Sequence, residues 1–344
     1  MMPCLFFMKA IDVHGLTKIY RGNIKAVDNL SFEVAEGSIF GFLGPNGAGK
    51  STTIKVLITL AKAVQGTAYI LDVDVTKDPG KVREMIGYVP QELSADGALT
   101  GYENLLLSAK LYNIPPQERR TRIDAILAML DLTARAHSLV DTYSGGMVRR
   151  LEIGQAMLHH PKVLFLDEPT IGLDPAGRKL VWEHIRKLNK EEHMTIFLTT
   201  HYMEEAEALC DQIGIIDRGR LSVVGSPQQL KEKVGVGTVT FILDPKNGDA
   251  SVNLDTLFKD IEGVTISQLA SDSWQLKVIH PEVHTLEILR TLITHNLPVK
   301  DLEIRGPTLE DVFLKYTGSR FDEGSVRNEW KAIKGRRRTV RRVT

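Results

Sequence analysis

The segment Gly44–Thr52 constrains the fold of this chain more than any other stretch. It reads Gly-Pro-Asn-Gly-Ala-Gly-Lys-Ser-Thr and joins an apolar run at Ile39–Leu43 to a helix predicted over Ser51–Lys62. A strand, a glycine-rich loop with Lys-Ser and a helix together form a phosphate-binding loop, or P-loop. The glycines let backbone N–H groups face phosphate oxygens, and the helix directs its positive end at them. We therefore predict that this loop binds a nucleotide.

Two side chains of the loop are suited to specific parts of a nucleotide. Lys50 can reach the β- and γ-phosphates as a positive charge, and the Ser51 hydroxyl can bind Mg²⁺. The predicted nucleotide-binding residues of the loop are Gly44, Pro45, Asn46, Gly47, Ala48, Gly49, Lys50, Ser51 and Thr52.

Composition limits the remaining possibilities. The 344 residues are enough for one large or two ordinary domains, and 43 basic residues balance 43 acidic ones, so net charge gives no support for nucleic acid as the main partner. Cys4 and Cys210 cannot build a disulfide framework, which favours a reducing compartment. No apolar run is long enough to cross a bilayer, and Met1–Met8 is predicted to be a leader rather than a signal peptide. We expect a cytoplasmic chain.

Polar side chains follow three predicted strands at the point where each strand ends. Asp167 and Glu168 end the apolar run that begins at Val163, Gln91 follows Met85–Val89, and His201 follows Thr195–Thr199. Open α/β sheets place ligand groups at the carboxyl ends of their strands. Beside a P-loop, Asp167 is predicted to bind Mg²⁺ and Glu168 to polarise the attacking water. Taken alone, a glutamine such as Gln91 is usually a solvated surface residue, and a lone histidine such as His201 is usually structural.

Residues 101–138 have apolar positions at helical spacing and carry no strand signal, which predicts a helical insert in the α/β domain. After it, Ser144, Gly145 and Gly146 precede a helix that continues to Leu158. The serine is a good N-cap, and the glycines leave backbone N–H groups open at a positive helix end. A second anion site and an ordinary capped helix both fit, and local sequence favours the capped helix.

The pattern changes after Ser226. Strand and helix signals from Thr238 to Ile304 follow the order β-α-β-β-α-β, which predicts a small ferredoxin-like α+β domain. The last fourteen residues are basic and contain no acid, so a solvated tail is predicted. The predicted boundaries are a leader at 1–8, a nucleotide-binding domain at 9–226 with a helical subdomain at about 95–160, a linker at 227–236, a C-terminal domain at 237–318 and a tail at 319–344.

In this order, the motifs resemble an ABC-type ATP-binding cassette over Lys9 to about Ser226. They are the P-loop, Tyr143–Met147, Leu166–Thr170, Gly172–Asp174 and His201. Two further stretches are similar to the ATPases of daunorubicin-resistance exporters, which pair a cassette with a separately encoded permease. These stretches are Pro307–Leu314 with Thr317-Gly318, and Thr200–Ala206.

The resemblance implies a role for each weaker candidate. Tyr20, which alone reads as a strand-edge tyrosine, would stack on the adenine. Gln91 would contact Mg²⁺ or water and sense the permease. Ser144, Gly145 and Gly146 would bind the γ-phosphate of an ATP held by a partner subunit. His201 would contact the γ-phosphate, and Asp167 with Ser51 would hold Mg²⁺. The family signature usually begins with Leu and ends with Gln, whereas Tyr143 and Met147 stand here.

The resemblance also implies a fold and a function. The expected fold is α/β, a P-loop NTPase cassette with an α-helical subdomain, an N-terminal antiparallel β subdomain and a small ferredoxin-like C-terminal domain. The expected function is ATP hydrolysis by a homodimer, at the inner face of the membrane, that powers export through an integral membrane ABC-2 type permease. A soluble ABC ATPase acting on nucleic acid or ribosomes is the alternative, supported only by the basic tail. A regulatory binding module is the third possibility.

Overall fold

The computed structural model describes residues 8–243, 254–258, 264–270, 272–279 and 281–318. This part of the chain forms two compact units, one ending at Pro227 and one beginning at Gln228. Most of the predicted leader and all of the predicted tail lie outside the described residues. Within the described ranges, no helix is both long enough and apolar enough to span a membrane.

Among its described residues, the first unit contains ten strands, seven α-helices and two short 3₁₀-helices at Thr133–Arg135 and Val140–Thr142. The strands are β1 (Lys9–Tyr20), β2 (Ile24–Ala35), β3 (Ile39–Leu43), β4 (Gln65–Ile70), β5 (Val73–Asp74), β6 (Ile86–Val89), β7 (Val163–Asp167), β8 (Thr195–Thr200), β9 (Gln212–Asp217) and β10 (Arg220–Gly225). The helices are α1 (Lys50–Leu57), α2 (Pro79–Met85), α3 (Gly101–Leu111), α4 (Pro116–Met129), α5 (Gly145–Met157), α6 (Pro175–Glu192) and α7 (Met203–Leu209).

A six-stranded sheet forms the centre of this unit, in the order β10-β9-β3-β8-β7-β6. All neighbouring pairs are parallel except the hairpin of β9 and β10. Every residue of β3, β7 and β8 is buried, as expected for apolar runs covered on both faces. In register, Leu43 pairs with Thr200, Thr199 with Asp167, and Leu166 with Val89, so four strands end at one edge of the sheet.

An antiparallel sheet in the order β2-β1-β4-β5 packs on this central sheet. Phe32 of the antiparallel sheet meets Phe40, Phe42 and Phe197 of the central one, with ring centroids 4.9–5.8 Å apart. These rings belong to one continuous buried apolar core that fixes the two sheets against each other. The antiparallel subdomain expected from the resemblance is therefore present.

Helices α3, α4 and α5 form the insert between β6 and β7. Helix α4 begins at Pro116, because the preceding proline favours extended backbone and a proline is well accommodated in a first helical turn. The predicted helix Ser51–Lys62 is shorter in the structure and ends at Leu57. Thr59 has a left-handed backbone with φ of 67°, which an α-helix cannot continue through.

The second unit is an antiparallel α+β domain. Its elements are α8 (Pro227–Val234), β11 (Val236–Leu243), α9 (Leu254–Leu257), β12 (Thr265–Gln268), β13 (Ser273–Ile279), α10 (Pro281–Thr294), β14 (Val299–Arg305) and α11 (Leu309–Thr317). The sheet order is β12-β13-β11-β14, and all three neighbouring pairs are antiparallel. Phe241 and Leu276 of the sheet pack with Phe258 and Ile288 in a separate core. The sequence signals between Thr238 and Ile304 include a predicted helix at Leu254–Ile261, whose last three residues lie outside the described residues.

Candidate functional site

The P-loop connects β3 to α1 at the edge of the sheet where four strands end. Gly47 and Gly49 have φ of 80° and 102°, in the left-handed region that favours glycine. A Cβ on Gly49 would lie 2.4 Å from the carbonyl oxygen of Ala26, so no other residue fits there without movement. The loop lines a cavity of about 340 Å³ together with Ala26, Gln91 and Glu168.

Lys50 is the buried cation of this cavity, with 4% of its surface exposed. Its Nζ donates to the carbonyl oxygens of Gly44 at 2.6 Å and Pro45 at 3.2 Å. It also lies 3.1 Å from Oε1 of Glu168. The ammonium is therefore held inside the loop by acceptors that a phosphate oxygen can replace.

Asp167 lies at the end of β7 and faces the start of α1. Its Oδ1 accepts hydrogen bonds from the Ser51 hydroxyl at 3.0 Å and the Thr199 hydroxyl at 2.6 Å. Burial raises the pKa of the Asp167 carboxyl above its ordinary value, against the lowering effect of these two hydrogen bonds. A buried carboxylate next to a hydroxyl is a donor set that fits Mg²⁺, which prefers hard oxygen ligands and takes the rest from phosphates and water.

Glu168 follows Asp167 with a left-handed φ of 49°, a conformation that costs about 1–3 kcal/mol in a residue other than glycine. Its N–H donates to the carbonyl oxygen of Thr199 at 3.1 Å and to the Thr199 hydroxyl at 3.0 Å, which stabilises this bend. The bend brings the Glu168 carboxylate to Lys50 on one side and His201 on the other.

His201 follows the end of β8 and is 3% exposed. Its Nδ1 lies 2.9 Å from Oε2 of Glu168, and its buried Nε2 has no protein partner. Burial alone would raise the pKa of Glu168, but the hydrogen bond from His201 and the charge of Lys50 hold that pKa below its ordinary value. The pair therefore offers an ionised carboxylate and an imidazole nitrogen that is free to bind a ligand.

Gln91 comes two residues after the end of β6 and lines the P-loop cavity. It also lines a second cavity of about 410 Å³, whose wall includes Ser144, Gly145 and Gly146. Gln91 therefore lies between the two predicted anion sites.

The segment Ser144–Gly146, which we call the signature segment, begins helix α5. The Ser144 side chain accepts a hydrogen bond from the Met147 N–H at 3.3 Å, as an N-cap does. Asp174 is the N-cap of helix α6, and its side chain accepts a hydrogen bond from the Gly177 N–H at 3.1 Å. Asp174 also lines the cavity of about 410 Å³ together with the signature segment. In one chain, the signature segment and Lys50 line different cavities.

Tyr20 is not among the residues that line the P-loop cavity. Its ring is 40% exposed, and the Lys18 ammonium lies 5.1 Å from the ring centroid. An exposed aromatic ring is available for stacking. Its role against adenine stays a prediction.

The structure explains why Tyr143 stands at the position where the family signature usually has leucine. The Tyr143 side chain is buried, and its hydroxyl donates to the carbonyl oxygen of Arg135 at 2.6 Å. A Cβ on Gly101 would lie 2.3 Å from that hydroxyl, so the tyrosine fits only because residue 101 has no side chain. Tyr143 therefore anchors the start of α5 to the segment around Arg135, between α4 and α5.

Replacing Tyr143 by phenylalanine should lower the free energy of unfolding by about 1–2 kcal/mol, because the Arg135 carbonyl loses its buried partner. Urea denaturation measures this change, and ATP binding should be unaffected. The matched control is Tyr112→Phe, at a half-exposed tyrosine after α3, which should change stability by less than about 0.5 kcal/mol. Equal effects of both substitutions would contradict the anchoring role.

Sequence reasoning did not single out several residues that position the site. Thr199 holds both Asp167 and the Glu168 backbone. The fully buried Glu205 accepts from the Thr170 hydroxyl at 2.7 Å and Trp182 Nε1 at 2.9 Å. Arg149 and Glu152 form a buried ion pair. In the sequence, this ion pair could be predicted only from its spacing, with opposite charges three residues apart on a predicted helix.

Comparisons with known proteins assign the family. Residues 27–171 match the family model described as ABC transporter, and residues 225–317 match ATP-binding protein DrrA1-3-like, C-terminal domain. The Linearmycin resistance ATP-binding protein LnrL of Bacillus subtilis is 35% identical over 90% of this chain and 98% of its own length. This chain belongs to the ATP-binding subunits of ABC transporters. The resemblance found in the motifs is thereby confirmed.

Further relatives of this ABC subunit indicate its subgroup. The Daunorubicin/doxorubicin resistance ATP-binding protein DrrA of Streptomyces peucetius is 37% identical over 92% of this chain and 95% of its own. The Nod factor export ATP-binding protein I of Rhizobium meliloti is 38% identical over 90% of this chain and 88% of its own. The chain is an ATP-hydrolysing subunit of an ABC exporter, as expected from the resemblance.

Solved structures agree with the cassette fold. The cbiO1 protein from Clostridium perfringens, part of the ABC transporter complex cbiONQ, covers 66% of this chain and 93% of its own, with 27% identity and a TM-score of 0.61. A dimeric ATP-binding cassette in a post-hydrolysis state, bound to ADP and Pi, covers 63% of this chain and 98% of its own, with 27% identity and a TM-score of 0.57.

Proposed function

We propose that this ATPase subunit acts as a homodimer that drives export through a separately encoded ABC-2 type permease. The observation that carries the dimer is the separation of the two anion sites, since Lys50 and the signature segment line different cavities of one chain. An ATP held by Lys50 of one copy would be completed by the signature segment of the other, and two-fold symmetry gives two such sites. The similarity to a dimeric cassette supports this arrangement.

Each site residue takes its role from its surroundings. The P-loop from Gly44 to Thr52 wraps the phosphates, and Tyr20 stacks on the adenine. Glu168, ionised beside Lys50, accepts the proton of the attacking water. His201 contacts Glu168 through Nδ1, and an Nε2–H group on the same ring would donate a hydrogen bond to the γ-phosphate. Ser144 and Gly146 present a hydroxyl and a positive helix end to the partner's γ-phosphate.

Ser51, Asp167 and Gln91 are the residues that would hold Mg²⁺. The shared hydrogen bond between Ser51 and Asp167 places two oxygen ligands side by side, and Gln91 lines the same cavity as Ser51. When bound, Mg²⁺ would neutralise part of the charge on the phosphates.

ATP would favour the closed dimer because its γ-phosphate binds both subunits, and loss of that phosphate would weaken the contact. Closing and opening would then move the permease between inward-facing and outward-facing states. For this coupling the chain would work in the cytoplasm, at the inner face of the membrane.

The proposed subunit is divided into a cassette and an accessory domain. Residues 9–226 form the cassette, with a helical subdomain at about 95–160, and residues 237–318 form an accessory domain. The strand order β14-β11-β13-β12 supports a ferredoxin-like topology for that domain. The segment predicted as a linker, 227–236, contains helix α8.

Co-purification from solubilised membranes tests the proposed partner. The tagged full chain, expressed with its neighbouring reading frames, should retain an integral membrane protein that has several apolar runs of about 20 residues each. The retained pair, reconstituted in vesicles, should show faster ATP hydrolysis than the chain alone. A chain that instead retains salt-sensitive RNA and no membrane protein would contradict export and favour the nucleic-acid alternative.

A further inference from the structure

Helix α5 carries a buried ion pair whose arginine, Arg149, lines the cavity of the signature segment and not the P-loop cavity. Arg149 and Glu152 are each 2% exposed, and the Arg149 NH1 atom lies 3.1 Å from Oε2 of Glu152. Burying both charges is costly, and a buried ion pair is weak evidence for stability, because apolar residues of similar volume often stabilise as well or better. The contacts that these two side chains make therefore need a specific explanation.

Both side chains hold the backbone of the segment that follows strand β6. Arg149 donates to the carbonyl oxygens of Pro90 at 2.7 Å and Gln91 at 3.0 Å. Glu152 accepts from the N–H groups of Ser94 and Ala95. One ion pair thus holds carbonyl groups at the start of the segment and N–H groups at its end.

The same segment is also attached to helix α3. Asn104 is 1% exposed, its Oδ1 accepts from the Asp96 N–H at 2.9 Å, and its Nδ2 donates to the Asp96 carbonyl at 2.9 Å. Residues 90–96, which we call the Gln91 segment, are therefore held by the helical insert through side chains of α3 and α5.

The position of the ion pair relates the Gln91 segment to the signature segment. Arg149 lies five residues after Ser144 on one continuous helix, about 7.5 Å along its axis. Gln91 lines this chain's own P-loop cavity, whereas the signature segment would face the ATP of a partner subunit. A shift of α5 would therefore be transmitted to Gln91 through the backbone contacts of Arg149 and Glu152.

We propose that Arg149 and Glu152 are positioning residues that make helix α5 and the Gln91 segment move as one body, and so couple the two ATP sites of the dimer. When Ser144 and Gly146 engage one ATP, the link shifts Gln91 in the other site towards its own ATP. Hydrolysis is therefore positively cooperative in ATP. This inference rests on the proposed dimer with shared sites.

The test is the Hill coefficient of steady-state ATP hydrolysis by the full chain, measured with Arg149→Met/Glu152→Leu. Methionine and leucine fill a similar volume but cannot hold the backbone of residues 90–95. We expect a Hill coefficient above 1 in the parent chain and a fall to 1 in the double variant. The affinity for a fluorescent ATP analogue should change by less than twofold, because neither side chain lines the P-loop cavity.

Two further variants keep the test decisive. Arg149→Lys retains charge and fold but lacks the planar fork that reaches both carbonyl groups, so its Hill coefficient should lie between those of the parent and the double variant. The matched control is Arg120→Met/Asp124→Leu, which removes an exposed ion pair of 3.8 Å within helix α4. Its Hill coefficient should equal that of the parent.

A Hill coefficient in the Arg149→Met/Glu152→Leu variant that equals the parent value would overturn the inference. So would a parent chain that hydrolyses ATP with a Hill coefficient of 1, although that result leaves the ATPase function in place. A parent chain that neither binds nor hydrolyses ATP would contradict both the inference and the proposed function.

Discussion

Replacing Glu168 by glutamine is expected to slow ATP hydrolysis by about 10²–10⁴-fold, the usual contribution of a positioned general base. The amide keeps the shape of the carboxylate but cannot accept the proton of the attacking water. Lys50 and His201 hold this carboxylate at 3.1 Å and 2.9 Å, and they keep its pKa below the ordinary value against the opposing effect of burial. Single-turnover hydrolysis of ATP measures the loss.

The same variant should retain ATP and accumulate as a dimer, because the γ-phosphate that joins the two copies is no longer removed. Gel filtration with Mg-ATP detects this shift. The matched control is Glu204→Gln, at an exposed residue of helix α7, which should leave both hydrolysis and oligomeric state unchanged. A Glu168→Gln chain that hydrolyses ATP within threefold of the parent rate would rule out the proposed role of the carboxylate.

Replacing Lys50 by methionine is expected to weaken ATP binding by about 10- to 100-fold, because hydrogen bonds to charged groups contribute about 1.5–3 kcal/mol each. Methionine fills a similar volume but provides no charge for the phosphates. It also leaves the buried Glu168 carboxylate without its cation, so stability should fall as well. Titration with a fluorescent ATP analogue measures the affinity, and thermal denaturation measures the stability.

Lys55→Met is the matched control, because Lys55 lies on the same helix α1 with its side chain exposed. Its affinity for ATP should stay within twofold of the parent value. If the two lysine variants bound ATP equally well, Lys50 would not be the phosphate-binding cation of the loop.

The sequence allowed the central part of the fold to be predicted because its strongest local signals coincide with the sheet. Strands β3 and β7 are continuous apolar runs, and both are completely buried. The parallel register then brings Asp167, Gln91 and His201 to the edge that carries the P-loop. The positions of these side chains depend on the direction and order of the strands. Both can be inferred from the short apolar runs and the lengths of the connections between them.

Features that depend on tertiary contacts could not be predicted from local sequence signals. Strand β1 runs without a break from Lys9 to Tyr20, although its pairing with β2 shifts register four times, so its alternation is irregular in sequence. Helix α2 is short and was not predicted. Arg149 and Glu152 look like surface charges on an amphipathic helix, but tertiary packing buries both of them, and both contact the backbone of the Gln91 segment.

The central claim is that each ATP site is built from two chains, and mixing two inactive variants tests it most directly. Lys50→Met disables the P-loop. Gly146→Asp places a carboxylate against the γ-phosphate, at a position where a Cβ meets nothing closer than 3.6 Å. Each variant alone should be inactive. A mixed dimer has one site in which an intact P-loop meets an intact signature segment.

Equal amounts of the two variants should therefore recover ATPase activity, up to about a quarter of the parent value, because about half of the dimers are mixed and each contains one intact site of two. The control mixture, Lys50→Met with Glu168→Gln, disables the P-loop side of each chain and should recover nothing. Recovery in the first mixture alone is the result that shared sites predict. A mixture that remains as inactive as its components, although cross-linking shows that mixed dimers form, would contradict them.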